Sequence, residues 1–238
     1  MINIKKNTAF IFARGNSKGL VKKNIKPFNG KPLISYAIEI ALESKLYDHV
    51  IVSTDSEEIG QIAKDYGAEV PFIRPSELAT DDTPDYPVFR HALDFLENYI
   101  KDTIDIIILL RPTSPLRPEG LIERGLQLIK ENPDFNSVRS VATTNEHPYR
   151  QWKQEGRFIT GYEEIVHEPY NLERQKLPPV LFQTGDIEII SRQTLKDGSI
   201  SGSKVLPLII NHEEMFDIDY EYDIKLAENR LNKESERK

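Results

Sequence analysis

The sequence contains no cysteine, which excludes disulfides, thiolate zinc sites and a cysteine nucleophile, so any metal must be held by oxygen or imidazole. No apolar run approaches the ~20 residues needed to span a bilayer. The apolar patch within Met1 to Phe12 is too short and too polar for a secretory h-region. The expectation is a cytoplasmic protein with no membrane partner. There is no internal repeat and no low-complexity segment. Neither a Walker A spacing nor G-x-G-x-x-G is present, which removes support from kinase-like and dinucleotide readings. Acidic residues are missing from one place in particular: residues 1–38 carry eight Lys/Arg and no Asp or Glu, while the remaining 200 carry 23 bases against 38 acids. The basic end is a candidate anion site, or else its lysines simply solvate a loop. The acidic remainder argues against nucleic acid as a partner.

What is there is a globular composition. Hydrophobic residues make up 39% of the 238 and charged residues 29%, with 12 Gly and 15 Pro dispersed. At this length one α/β layer structure with an insertion can bury roughly 70% of the unfolded surface.

Thr8 to Ala13 is a short apolar run that stops at Arg14-Gly15. A polar, glycine-containing stretch follows, then helical spacing from Leu33 to Leu46. His49 to Ser53 is the next buried strand, and Ser56-Glu57-Glu58 looks like a helix start, with Gly67 as the stop. Ala68 to Ile73 reads as a third strand, Val88 to Ile100 as an amphipathic helix, and Ile104 to Leu110 as a strand buried on both faces. This alternation predicts right-handed βαβ units in a doubly wound, mostly parallel α/β sheet, with ligands at the strand carboxyl ends. Residues 1–238 read as one domain. From Val141 to Leu181 the period breaks among Pro148, Pro169, Pro178, Pro179 and Trp152. That segment reads as an inserted subdomain offering a partner surface, or equally as a long Pro-rich loop on its own core. Asp186 to Ile190 and Val205 to Ile210 resume strands, and Tyr220 to Leu231 closes the chain as a helix.

Three segments carry candidate chemistry. The loop from Arg14 to Asn24 combines two glycines with four cations after the first strand; oriented backbone amides and cations are what phosphate oxygens require. In Asp217-Ile218-Asp219, alternation puts both carboxylates on one side of an extended segment, where they can share a hard cation. Magnesium is the natural candidate, bound by few carboxylates plus phosphate oxygens and water. Asp219 serves equally well as the N-cap of the last helix. Arg111-Pro112-Thr113-Ser114-Pro115-Leu116-Arg117 ends the most apolar strand with two cations, and also reads as a rigid turn in which Thr113 or Ser114 caps the next helix.

Taken in order, ARGNSKGLVKKN (13–24), IVSTDSEEI (51–59), RPSELATDDT (74–83), RPTSPLR (111–117), RQKLPP (174–179) and DIDYEYD (217–223) resemble the acylneuraminate cytidylyltransferases, the CMP-sialic acid synthetases. The CMP-Kdo synthetases are more distant relatives. The likeness spans nearly the whole chain, and its SKGLxxKN form is similar to the sialate branch. It implies a Rossmann-like nucleotidyltransferase fold with a small dimerisation subdomain, inserted at 141–181. It implies an enzyme that joins CTP to an acidic 2-keto-3-deoxy sugar, giving a CMP-sugar and pyrophosphate. Arg14, Ser17, Lys18 and Lys23 are then expected at the CTP phosphates, with Lys23 nearest the leaving pyrophosphate. Asn24 and Arg74 are expected at the cytosine nucleotide, and Asp217 and Asp219 at Mg²⁺. Arg150 and Arg174 match positions that, in a homodimer, reach the neighbour's sugar pocket.

The sequence departs from the family pattern at the sugar end. Arg111 stands where Gln is common, the usual RPNG-type segment reads Phe182-Gln183-Thr184-Gly185, and Glu188 stands where an aromatic is frequent. Arg111 and Gln183 are therefore candidate substrate-binding residues for sialic acid, a related nonulosonate or a different acidic sugar. The anomeric hydroxyl attacks the α-phosphorus, and its proton goes either to a carboxylate or to a metal-bound hydroxide. Two alternatives stand beside this expectation: a nucleotidyltransferase for another sugar or NTP, and a non-catalytic nucleotide-binding homologue.

Overall fold

In the computed structural model, strand β1 (Asn7–Phe12) turns Ala9 and Ile11 into one hydrophobic layer and Phe10 into another, all of them fully buried. A strand covered on both faces must be apolar on both, which is why TAFIF lacks a polar alternation. The structure describes residues 6–17, 19–101, 104–163 and 166–235. After β1 come a small hairpin of β2 (Pro27–Phe28) and β3 (Lys31–Pro32), then α1 (Leu33–Ser44), β4 (His49–Ser53), α2 (Glu57–Asp65), α3 (Asp85–Ile100) and β5 (Ile106–Leu109). The chain continues through α4 (Leu121–Glu131), β6 (Ser137–Thr143), a hairpin of β7 (Trp152–Glu155) and β8 (Phe158–Gly161), β9 (Leu181–Ser191), α5 (Arg192–Lys196), β10 (Val205–Ile209) and α6 (Glu221–Ser235).

Six strands form one sheet in the order β10-β6-β9-β5-β1-β4. Strand β1 lies parallel to β4 and β5, and β10 parallel to β6. Strand β9 runs antiparallel to both β5 and β6. The expected parallel, doubly wound sheet is present with this one reversal. The reversal has a local cause: the chain leaves the sheet after Thr143 and rejoins it beside β6 at Leu181, so the intervening segment leaves and returns at the carboxyl end of β6. Helices α1, α2 and α4 cover one face through Ile34, Ile38, Ile59, Ala63 and Leu126. Helices α3 and α5 cover the other through Phe89, Leu93, Leu96 and Leu195. Each fully buried Leu, Ile or Phe in these layers contributes about 1.5–3 kcal/mol.

One expected strand is missing and two elements go beyond the sequence reading. Residues 68–73 form no strand; Glu69 alone makes a parallel bridge to Ile51, with Glu69 N donating to Val50 O and Val52 N to Glu69 O. Pro71, which lacks an N–H, prevents the ladder from continuing. The reading also named neither α4 nor β6. Helix α4 carries Gly125 at its centre, a weak helix former. A Cβ there would come within 2.6 Å of Ile189 Cδ1, so the glycine is what lets α4 approach β9.

A third cluster positions the site. Leu20, Phe28 and Leu33 from the beginning of the chain pack with Ile218, Ile224 and Ala227 from its end. This apolar contact, rather than any charge, brings residues 13–26 beside residues 217–223.

Candidate active site

The first loop leaves β1 at the carboxyl edge of the sheet and is organised by its own backbone. Buried Asn24 donates from Nδ2 to the Arg14 carbonyl at 2.9 Å, and Lys22 takes a left-handed conformation, φ 53°, before a 3-10 turn over Lys23–Ile25. The Gly15 amide donates to Asp55 Oδ1 at 2.8 Å, pinning the loop to the end of β4. Ser56 next to it caps α2, its Oγ accepting from the Ile59 amide, as the sequence indicated. Asn24, expected at the nucleotide, thus commits one N–H of its amide to holding the loop closed.

The cationic loop and the carboxylate pair face each other. Lys23 Nζ stands 2.9 Å from Asp219 Oδ1, and Lys26 pairs with Glu221. The approach is tight: a Cβ on Gly19 would lie 3.0 Å from the Asp219 carbonyl oxygen. Ile218 is fully buried, while Asp217 and Asp219 are exposed on either side of it, as alternation requires. Asp219 does not cap α6. Asp223 does, its Oδ2 accepting from the Asp219 and Tyr220 amides at 2.9 and 2.8 Å, which leaves the Asp219 carboxylate available to the cleft. The Asp217 carboxyl is pushed above its ordinary value by desolvation first and by the Asp219 charge, with a Thr113 hydrogen bond, Lys23 and Arg111 opposing the rise.

Between these segments lies a cleft of about 490 Å³, lined among others by Arg14, Ser17, Lys23, Asn24, Arg74 and Arg111. Lys18 lies outside the described residues. Arg14 Nη1 is 2.6 Å from Asp81, in the polar loop before α3. Arg74 is 5% exposed, and its Nε and Nη2 have no hydrogen-bond partner among the described residues. Desolvation holds its pKa below the usual arginine value, with Asp55 opposing. A buried guanidinium with uncommitted N–H groups at a cleft wall is costly unless an acceptor arrives.

The wall beyond β5 is built on the RPTSPLR turn. Helix α4 starts later than that turn, with Gly120 and not Thr113 or Ser114 at its N-cap, so the turn is a rigid wall rather than a cap. Arg117, buried, donates from Nε to the Asp186 carbonyl at 2.6 Å and from Nη2 to the Arg111 carbonyl. Its pKa is drawn down to about 10 by desolvation, against the pull of Asp186. Thr113 O accepts from the Ile218 amide at 2.8 Å, tying this wall to the carboxylate segment. Arg111 donates from Nε and Nη2 to Glu188 Oε1 at 3.2 and 2.7 Å and from Nη2 to Asp85 Oδ2 at 2.7 Å. Burial works against the Arg111 charge, but Glu188 and Asp85 outweigh it and raise its pKa.

Of the carboxylate pair Asp219 lines this cleft and Asp217 does not, nor do Gln183, Arg150 and Arg174. Gln183 is exposed on β9; Arg150 Nη2 donates to the Leu172 carbonyl and Arg174 Nη2 to Asn145 Oδ1, both at 2.9 Å within the inserted segment. Sequence reasoning named no role for Asp55, Asp81, Asp85 or Arg139. Asp55 had a legible signal, a carboxylate directly after a strand at the ligand edge, whereas Asp81 and Asp85 sit in a loop and at a helix start where acids are ordinary.

A doubly wound sheet bearing a basic glycine loop and a carboxylate pair at its carboxyl edge is a Rossmann-like nucleotidyltransferase. The structure of CMP:2-keto-3-deoxy-manno-octonic acid synthetase complexed with CTP superposes with a TM-score of 0.71 at 17% identity, covering 97% of this chain and 100% of that one. The 4-diphosphocytidyl-2C-methyl-D-erythritol synthase of Anaerococcus prevotii gives 0.63 at 12% identity, with the same coverage of both chains. The cytidylyltransferase family profile matches residues 8–174. Post-translational flagellin modification protein B of Campylobacter coli is 34% identical over 221 residues, 92% of each chain. CMP-N,N'-diacetyllegionaminic acid synthase of Campylobacter jejuni is 34% identical over 233 residues, again 92% of each. The N-acylneuraminate cytidylyltransferase of Escherichia coli is 34% identical over 220 residues; there the match spans 92% of this chain but 50% of the relative. The chain belongs to the cytidylyltransferase family, in its acylneuraminate and nonulosonate branch, and is an enzyme of that type. No helix among the described residues is long and apolar enough to cross a membrane.

Proposed function

We propose that the cleft holds CTP with its triphosphate between the first loop and the Asp217–Asp219 segment, and joins it to a nonulosonate, an acidic 2-keto-3-deoxy sugar. The observation that carries this reading is the contact of Lys23 with Asp219 across the cleft. Cations for a triphosphate and the Asp219 carboxylate for its counter-ion occupy one site, with Asp217 two residues away on the same segment. Arg14, Ser17, Lys18 and Lys23 would take the phosphates, Lys23 nearest the pyrophosphate, and Arg74 would offer its two uncommitted N–H positions to the cytosine nucleotide. The names of the relatives, which include N-acylneuraminate, diacetyllegionaminic acid and pseudaminic acid enzymes, support the nonulosonate class.

The anomeric oxygen of the sugar bonds to the α-phosphorus as the bond from that phosphorus to the β-bridging oxygen breaks, freeing pyrophosphate, and the anomeric O–H bond breaks with its proton passing to a base. Catalysis then rests on positioning and on charge facing the phosphoryl oxygens. Arg14 and Lys23 would exchange their present carboxylate partners for phosphate oxygens. Asp217 and Asp219 suit Mg²⁺. They are hard oxygen donors, the Asp217 pKa being raised first by desolvation and further by the Asp219 charge, and a two-carboxylate contribution is what a magnesium–nucleotide complex leaves for the protein to supply. When bound there, the ion would neutralise phosphate charge.

The hairpin β7–β8 exposes Phe158 and Ile159, one on each face, with exposed Tyr162 directly after it, apolar groups that suit contact with a second copy of this chain. In such a homodimer Arg150 and Arg174 would reach the partner's sugar. Pyrophosphate release with CTP, Mg²⁺ and a panel of nonulosonates tests the reading, with UTP, GTP and ATP as controls. Absence of release across the panel, or preference for another NTP, would sink it.

A further inference from the structure

Two of the three family departures at the sugar end, Arg111 and Glu188, touch each other. A guanidinium has five N–H groups. In Arg111 the Nε hydrogen and one Nη2 hydrogen go to Glu188 Oε1, and the other Nη2 hydrogen goes to Asp85 Oδ2. Glu188 is buried and is also approached by Arg139 Nη1 at 2.9 Å, within ion-pair distance but without hydrogen-bond alignment. Two arginines and two carboxylates thus cancel in charge. A fork-like grip on a carboxylate needs two parallel N–H groups along one edge of the guanidinium. Both edges of Arg111 include Nη2, and Nη2 is spent; only the Nη1 hydrogens remain uncommitted among the described residues.

From this arrangement, and resting on the proposed function in which the first loop and Arg74 take the nucleotide, we infer that Glu188 and Asp85 are positioning residues for Arg111. Held this way, Arg111 reads an uncharged acceptor of the sugar, a hydroxyl or amide carbonyl, and does not clamp its carboxylate. The sugar carboxylate is left to other cations.

The test is steady-state kinetics of Arg111→Gln, Asp85→Asn and the double variant, with sugar and CTP varied separately at several salt concentrations. Arg111→Gln should raise the sugar KM about tenfold, as loss of one buried hydrogen bond does, with the CTP KM unchanged. The salt dependence of the sugar KM should match the wild type, because no ion pair to the substrate was removed. Asp85→Asn should raise the sugar KM severalfold, and the double variant should be no worse than Arg111→Gln. A salt dependence flattened by Arg111→Gln would mean that Arg111 pairs with the carboxylate, and strictly multiplicative effects would mean that Asp85 acts on its own; either overturns the inference. Glu188→Gln unpairs Arg139 in a buried place and risks misfolding, so Asp85→Asn, at a half-buried helix start, carries the test. Wild-type turnover with an unchanged sugar KM in Arg111→Gln would defeat this inference alone, whereas no wild-type turnover with any nonulosonate defeats the function it rests on.

Discussion

Lys23 Nζ and Asp219 Oδ1 lie 2.9 Å apart although 196 residues separate them along the chain. Neither charge drives the contact. The Asp219 side chain is 60% exposed, and an ion pair so placed contributes about 0.2–1 kcal/mol at most. The buried cluster of Leu20, Phe28 and Ile218 sets the distance, and the ionic groups are left over for chemistry.

From that division of labour, Lys23→Ala and Asp219→Asn should each lower turnover by about 100-fold or more, the scale for losing a charged group at a developing oxyanion. Their melting temperatures should stay within about 2 °C of the wild type. Pyrophosphate release and a thermal melt read both; large destabilisation with proportionate loss of activity would assign the pair to the scaffold.

Two glycines separate packing from function. Gly125→Ala must displace Ile189 Cδ1 from 2.6 Å and should cost about 1–3 kcal/mol in a denaturant titration, with KM values unchanged. Gly19→Ala presses on the Asp219 carbonyl at 3.0 Å, so it should raise the CTP KM with little change in the denaturation midpoint. The reverse pattern would show that the first loop is not seated against Asp219 as described.

His91 sets a pH dependence. Its pKa is lowered, first by desolvation and then by Arg74, and its Nδ1 is buried without a hydrogen-bond partner among the described residues while the ring packs edge-on against Phe72. A depressed folded value means that stability is present above the unfolded pKa of about 6.5 and is lost as pH falls through the folded one. The wild type should therefore lose thermal stability on acidification below about pH 6.5. His91→Phe should show a shallower decline over the same window, and an equal slope in both proteins would refute the assignment.

For the homodimer proposed through the inserted hairpin, Phe158→Asp with Ile159→Asp should leave a monomer where the wild type scatters light as a dimer, and should depress turnover if Arg150 and Arg174 act in the partner's site. An active monomer would remove those two arginines from the sugar pocket.

Much of this was legible from residue pattern. The end of β4 and the Ser56 cap fell where HVIVSTDS put them, because a buried run followed by a capping serine leaves little freedom. Alternation in Asp217-Ile218-Asp219 was readable for the same reason. Other features depended on contacts distant in sequence. Gly125 masked α4 since its purpose is the approach of Ile189; Pro71 cut short a strand that apolar content alone suggested; and β9 runs backwards because the chain detours between Thr143 and Leu181. The family departures Arg111 and Glu188 could each be read singly, but their partnership required the register that sets Glu188 opposite Leu109, just before Arg111.

The third cluster has a consequence for synthesis. Ile218, Ile224 and Ala227 cover the first loop from behind, so a chain still being translated has every strand of the sheet before it has a working site. Chains cut short before residue 217 would keep the scaffold of the sheet yet leave Leu20 and Phe28 bare. Cellular quality control would meet such fragments as sticky, inert proteins rather than as weak enzymes.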